Sequence, residues 1–284
     1  MTDVIIEKVV LQKNKMELNN VFKTDADISF VKELRKEIFR MMHYSKSSHI
    51  GGCLSCIDIL YTLYFKIMDC EKIKQKSSDR DIFILSKGHN GVALYVTLAY
   101  AGFFPKEHLN KYYIDNGILP GHLDMIKVNG IECSSGSLGH GAGIGLGFAI
   151  AKNRNKTDGH IYVLLGDGEC NEGSVWEAIM LAATLKQKNY TIIIDFNHLQ
   201  GMGGDVIHQS NLAERLAAFG FRVSEVDGND IGQLVPVLQD RDGPLAVIAH
   251  TIKGFGVSFT ENKLEWHYKS PSDEQLKIAL KELQ

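Results

Sequence analysis

Two short apolar runs, each ending in polar residues, constrain this chain more than any other feature. Ile161-Tyr162-Val163-Leu164-Leu165 leads directly into Gly166-Asp167-Gly168-Glu169-Cys170-Asn171-Glu172-Gly173, and Thr191-Ile192-Ile193-Ile194 into Asp195-Phe196-Asn197. Continuous apolar runs of this length read as strands buried on both faces. Residues 174–185 between them carry helical spacing, so the whole segment is one strand–helix–strand crossover, with Asn197 standing 30 residues after Asp167. In a right-handed parallel unit both residues sit at carboxyl ends of strands, the edge where α/β sheets bind ligands.

The residue types suit that edge. Asp167 offers a carboxylate and Asn197 an amide oxygen, hard ligands for Mg²⁺ or Ca²⁺ rather than for a thiol-seeking metal. Two side chains cannot fill an octahedral shell, and Mg²⁺ ordinarily completes it with phosphate oxygens and water. Gly166 and Gly168 let backbone N–H groups approach a phosphate unobstructed. Alone, Gly-Asp-Gly would be only a turn; the matched strand, helix and strand around it make it a site.

The rest of the chain extends the same alternation. Strands are expected at 81–85, 221–226 and 245–249, and helices near 28–42, 56–68, 91–102, 106–113, 141–152, 212–219 and 231–239. This predicts an α/β fold: a doubly wound, mainly parallel sheet with helices on both faces. The Gly- and Ser-rich stretch 117–143 reads as a long loop, a length usually kept for function. Residues 1–28 read as an appended arm that adds an edge strand at Val4-Ile5-Ile6 or Val9-Val10-Leu11, or docks on a partner; 29–284 read as one domain.

Composition narrows the function. A net charge of −3 gives no basic surface for nucleic acid. The first twenty residues lack a signal-peptide core, and no apolar stretch approaches the ~20 residues of a membrane span, so a cytoplasmic location is expected. Of five cysteines, Cys53 and Cys56 form a C-x-x-C, but no second pair completes a zinc site, and they read as small residues near a helix start. Four of the eleven histidines, His49, His89, His122 and His267, lie in loops at strand or helix ends, which points to a shared cleft. Neutral imidazole both donates and accepts, which suits sugar hydroxyls and carbonyl oxygens. His208 and His250 read as ordinary polar positions.

The run from Gly166 to Asn197 resembles the thiamine-diphosphate fingerprint, and the chain resembles the N-terminal half of transketolase in the form found as a separate subunit. The likeness covers about 28–283. It rests on Ser47-Ser48-His49-Ile50-Gly51-Gly52, Ile84-Leu85-Ser86-Lys87-Gly88-His89, Pro120-Gly121-His122, Ser135-Gly136-Ser137-Leu138-Gly139, Lys253-Gly254-Phe255-Gly256-Val257-Ser258-Phe259 and Glu265-Trp266-His267. It departs from the family pattern at Asn90, His140 and Tyr268-Lys269, and the stretch after Asn197, His198-Leu199-Gln200-Gly201-Met202-Gly203, lacks the Asp often found there, changes that bear on substrate more than on cofactor.

This resemblance implies a pyrophosphate-type domain and a two-carbon ketol transfer from a ketose to an aldose, with thiamine diphosphate as electron sink. It implies that His49 and His267 contact donor and acceptor, that His122 orients a substrate hydroxyl, and that His89 and His267 approach the diphosphate or thiazolium. Gly136, Ser137 and Leu138 would line the aminopyrimidine side, and Gly166, Asp167, Gly168, Glu169 and Asn197 the diphosphate. The backbone carbonyl of Leu199 would join Asp167 and Asn197 on Mg²⁺, for which Ca²⁺ or Mn²⁺ substitute. In the family the acid that activates the aminopyrimidine comes from a pyrimidine-binding domain, toward which Glu172 would reach. A second subunit carrying that domain and a C-terminal domain is therefore expected, in an α₂β₂ assembly acting on sugars or sugar phosphates. Two other readings stand beside this one: the α-type subunit of a thiamine-diphosphate 2-oxo-acid enzyme, against which the His loops speak, and a non-catalytic relative, against which the intact motifs speak.

Overall fold

The computed structural model describes residues 22–284 except 205 and 208; the arm's edge strands and His208 lie outside the described residues. Five strands form one sheet: β1 (Ile82–Leu85), β2 (Ile161–Gly166), β3 (Tyr190–Phe196), β4 (Arg222–Asp227) and β5 (Leu245–His250), in the order β1-β2-β3-β5-β4. Every pairing is parallel. The helices are α1 (Asp25–Ser45), α2 (Ile50–Thr62), α3 (Cys70–Lys74), α4 (Gly91–Tyr100), α5 (His140–Asn155), α6 (Gly173–Thr184), α7 (Leu212–Ala218), α8 (Ile231–Leu238) and α9 (Asp273–Glu282).

The doubly wound arrangement follows from the period of two along each strand. Ile82, Ile84, Ile161, Val163, Leu165, Ile192 and Ile194 pack with residues of α5, α6 and α7 in one core. Their alternates Phe83, Leu85, Tyr162, Leu164, Ile193 and Val247 pack with α1, α2, α4 and α8 in the other. Both faces are covered, which is why the strands carry no polar alternation. The strand order doubles back only between β4 and β5, and α8, which joins them, lies on the face opposite α5, α6 and α7, as right-handed crossovers require.

Three points differ from the sequence expectation. The second helix begins at Ile50, not near 56, and runs through a π-turn to Ile67. Gly51-Gly52 had hidden its start. Gly52 is needed there: a Cβ would meet the Asn90 amide at 2.5 Å. The same stretch corrects the membrane argument, because Ile50–Ile67 is long and apolar enough to span, yet 83% of it is buried inside the protein as a core helix. Cys53 and Cys56 are buried within it and free, and burial pushes their thiols up to about 11 and about 12. Helix α9 was not foreseen, although Ser272 and Gln275 form a capping box at its start; His43 ties it down through Asp273 at 3.0 Å and the Pro271 carbonyl at 2.8 Å.

At the opposite edge of the sheet, His160 is fully buried and holds Thr191 Oγ1 at 2.7 Å. Burial, and then Arg241, lower it to about 4. The unfolded chain therefore binds a proton that the fold refuses between an ordinary histidine pKa of about 6.5 and about 4, so stability falls as pH falls through that window. Urea midpoints should drop across it, and His160→Gln should flatten the dependence relative to wild type. Parallel profiles for the two proteins would contradict this assignment.

Candidate active site

The carboxyl ends of β1, β2, β3 and β5 open into a cleft of about 300 Å³. The β2–β3 register sets Gly166 opposite Asp195, so Asp167 and Asn197 begin their loops side by side. Asp167 Oδ1 accepts from Gly168 N at 2.7 Å, and Oδ2 accepts from Asn197 N at 3.1 Å and His198 N at 2.7 Å. One carboxylate thus fixes both loops. Burial, followed by the neighbouring Asp195 charge, raises the Asp167 carboxyl.

Lone-pair counting shows what this set can still bind. Asp167 Oδ1 keeps one free lone pair. Asn197 Oδ1 accepts only from Leu199 N, at 3.1 Å. The Leu199 carbonyl accepts from Lys253 Nζ, a cation already placed on that oxygen. Three hard oxygens on one loop pair, one of them met by a positive charge, match the donors of a divalent metal that keeps water and phosphate in its shell.

Three histidines meet in the same cleft. The rings of His49 and His267 lie 5.0 Å apart, those of His49 and His89 5.1 Å, and those of His89 and His267 5.9 Å. His49 precedes α2 with φ of 79°, a left-handed conformation that costs a β-substituted residue energy. Its N–H donates to the His267 carbonyl at 3.1 Å, and its own carbonyl accepts from Asn90 Nδ2 at 3.3 Å. Lys253 Nζ reaches His267 Nδ1 at 3.0 Å. All three imidazoles are held below the ordinary histidine value, foremost by burial. His122 and Lys253 add to this for His49; Lys87, the other two histidines and Lys253 for His89; and Lys253, His49 and Lys87 for His267, which falls to about 4. At neutral pH they are uncharged.

Of the residues named from sequence, the cleft brings together His49, His89, His122, His267, Gly136, Leu138, Gly166, Asp167, Gly168, Glu169, Asn197 and Leu199. Ser137 and Glu172 are not among its lining residues; both are exposed, Ser137 beside the cleft and Glu172 against Gly139. Glu169 is buried and its carboxylate is taken up by the wall, accepting from Ser86 Oγ, from Gly139 N at 2.8 Å and from Gly166 N at 3.1 Å.

Sequence reasoning missed the charges beneath. Lys87 pairs with the fully buried Asp195, which also accepts from Ser55 Oγ at 2.6 Å and from Thr251 Oγ1. Burial works against the Lys87 charge, but Asp195 more than offsets it and leaves the ammonium above its ordinary value. Lys253 has no such partner, and burial lowers it to about 8. The signal was present: both lysines stand inside quoted motifs, in apolar surroundings that tolerate a lysine only for cause.

The family described as "Transketolase, thiamine diphosphate binding domain" matches residues 27–283. The chain belongs to that family. It is 40% identical over 258 residues to an apulose-4-phosphate transketolase subunit of Actinobacillus succinogenes, covering 89% of this chain and 94% of that one. It is 35% identical to a 6-deoxy-6-sulfo-D-fructose transketolase subunit of a Clostridium species, covering 83% and 88%. The solved transketolase of Campylobacter jejuni superposes with a TM-score of 0.85 at 25% identity, over 92% of this chain but only 43% of that one. The chain thus spans nearly all of the subunit-type relatives and less than half of the solved transketolase. Thiamine diphosphate is the cofactor of the domain.

Removing one partner of the buried pair leaves the other charge uncompensated, which costs roughly 3–5 kcal/mol. Lys87→Met should lose about that much stability in chemical denaturation. A loss under about 1 kcal/mol would mean that Ser55 and Thr251 alone satisfy Asp195.

Proposed function

We propose that this chain is the cofactor-holding subunit of a two-chain transketolase that moves a two-carbon ketol unit from a ketose to an aldose, with thiamine diphosphate and Mg²⁺ as cofactors. The observation that carries the reading is the cluster of three neutral histidines in the one cleft that Asp167, Asn197 and Leu199 also line. When bound, thiamine diphosphate supplies the electron sink that lets a carbon–carbon bond beside a carbonyl break. Asp167, Asn197 and the Leu199 carbonyl would hold the metal, and Gly166 and Gly168 leave backbone room for phosphate.

The chain's own groups do the proton work. His49 and His267 can each donate to a developing alkoxide or accept a hydroxyl proton, because neither is charged at neutral pH. Lys253, on His267 Nδ1, favours the tautomer in which Nε2 carries the hydrogen and faces outward as a donor. His122, exposed at the rim, is placed to meet a substrate hydroxyl. Burial of His89 keeps its ring neutral beside Lys87, so it adds a hydrogen-bonding group without adding charge.

A partner is part of this reading. The only carboxylates lining the cleft among the described residues are Asp167 and Glu169, and both are occupied by backbone donors. An acid for the aminopyrimidine must come from elsewhere, and the relatives of matching length are named subunits. The activity, the sugar or sugar-phosphate substrates, the α₂β₂ state and a cytoplasmic setting are our proposals. The 2-oxo-acid alternative lacks an equivalent use for three converged histidines.

The purified chain with thiamine diphosphate, Mg²⁺ and a panel of ketose donors should show no transfer, and addition of a partner bearing the pyrimidine-binding domain should restore it. Robust turnover by the chain alone would overturn the two-chain reading. In the active assembly, His267→Ala and His49→Ala should each lower kcat by about 10²-fold or more with a smaller change in cofactor affinity; wild-type turnover would make them structural loop residues.

A further inference from the structure

Beneath the cleft floor three side-chain amides form a chain whose orientation is fixed at one end. The Asp167 backbone carbonyl can only accept. It receives Gln209 Nε2 at 2.8 Å, and the same nitrogen donates to Asn171 Oδ1 at 2.8 Å. With its oxygen so used, Asn171 presents Nδ2, which donates to Gln200 Oε1 at 3.0 Å. Val206 N, which can only donate, meets that same oxygen at 3.4 Å. Each amide therefore sets the next: a flipped Gln209 would set its oxygen against two acceptors, and a flipped Gln200 would set its nitrogen against two donors.

The end of the chain is Gln200 Nε2, buried and without an acceptor. A buried donor left unpaired costs about 1–3 kcal/mol, and three aligned amides are an unusual means of creating one. Gln200 lines the cleft. Its side chain lies against Gly168, where an added Cβ would stand 3.2 Å from Gln200 Cγ and 3.4 Å from Cδ. Gly168 is the second glycine of the loop that leaves room for phosphate, and the carbonyl of Leu199, the residue before Gln200, would join a bound metal.

We propose that Gln200 is a diphosphate-binding residue, its Nε2–H donating to a phosphate oxygen of the cofactor. The relay through Gln209 and Asn171 holds that donor ready before the ligand arrives, which lowers the ordering cost of binding. Charge-assisted hydrogen bonds to phosphate are stronger than neutral ones, so the bound anion offsets the cost of the unpaired amide. The proposal rests on the thiamine-diphosphate reading of the cleft.

The test is calorimetric binding of inorganic pyrophosphate with Mg²⁺ to the full-length chain, which needs no turnover and no thiamine ring. Gln200→Leu should weaken binding roughly tenfold or more, the scale of a hydrogen bond to a charged group. Gln200→Glu keeps the oxygen that Asn171 and Val206 require but replaces the donor by an anion. It should bind pyrophosphate more weakly than Gln200→Leu. A purely structural glutamine predicts the reverse order, and wild-type affinity in Gln200→Glu would overturn the proposal. Asn197→Ala separates the two levels. If it abolishes Mg²⁺-dependent binding while both Gln200 variants retain it, the cofactor site stands and Gln200 falls. If wild type itself takes up no pyrophosphate, both fall.

Discussion

Asp195 is fully buried at the carboxyl end of β3, where a carboxylate persists only with partners on all its lone pairs. Those partners come from three other parts of the fold: Ser55 from α2, Lys87 from the loop after β1, and Thr251 from just past β5. Its backbone carbonyl receives the Asp167 N–H at 3.3 Å. The four segments that build the cleft are therefore pinned to one residue, and the loops above are held in register by charge as well as by the sheet. Hydrophobic packing alone would position the strands and helices but leave their connecting loops free, since loops have little apolar area to bury.

The pair also sets the electrostatics of the cleft. The Lys87 charge is matched by Asp195, yet it still bears on His89 and His267 and helps to keep them neutral. Lys253 adds a second positive charge against His267 and Leu199. Lys87 is balanced by Asp195 and Lys253 stands near the Asp167 carboxylate, so the floor holds opposed charges while the three imidazoles of the mouth are uncharged. At the floor Asp167 and Asn197 present oxygens that repel a bare phosphate and would hold a metal ion instead. The mouth is left to groups that exchange protons with hydroxyls.

The strands were legible because burial on both faces leaves continuous apolar runs, and all five appear within two residues of their expected limits. The Asp167–Asn197 pair was legible because its spacing is that of a single crossover. The start of α2 was not, because Gly51-Gly52 reads as a break in a local pattern, whereas the glycines are there to admit Lys253 and Asn90. Asp195 and Lys87 were passed over for a related reason: what gives them meaning is a contact between residues 108 apart. Gln209 and Asn171, in irregular segments, carry no periodic signal, and their roles come from hydrogen-bond partners alone.

The departures from the family pattern fall where the fold leaves freedom. Asn90 holds the strained His49 backbone from below, and its Oδ1 is buried without a donor. Tyr268 donates to the Gly201 carbonyl and sets its ring edge-on to His267 at 4.8 Å, bridging two loops at the rim. Neither side chain hydrogen-bonds to the Asp167 oxygens or to the Asp195 carboxylate. The floor is fixed by buried charges whose removal costs stability, so change is confined to side chains that approach the histidines from outside or beneath. A chain built this way can keep one cofactor chemistry while the shape around the reacting carbon varies. The same logic separates the rim, with its exposed His122 and Tyr268, from a floor whose carboxylates are held by backbone, hydroxyl and lysine donors.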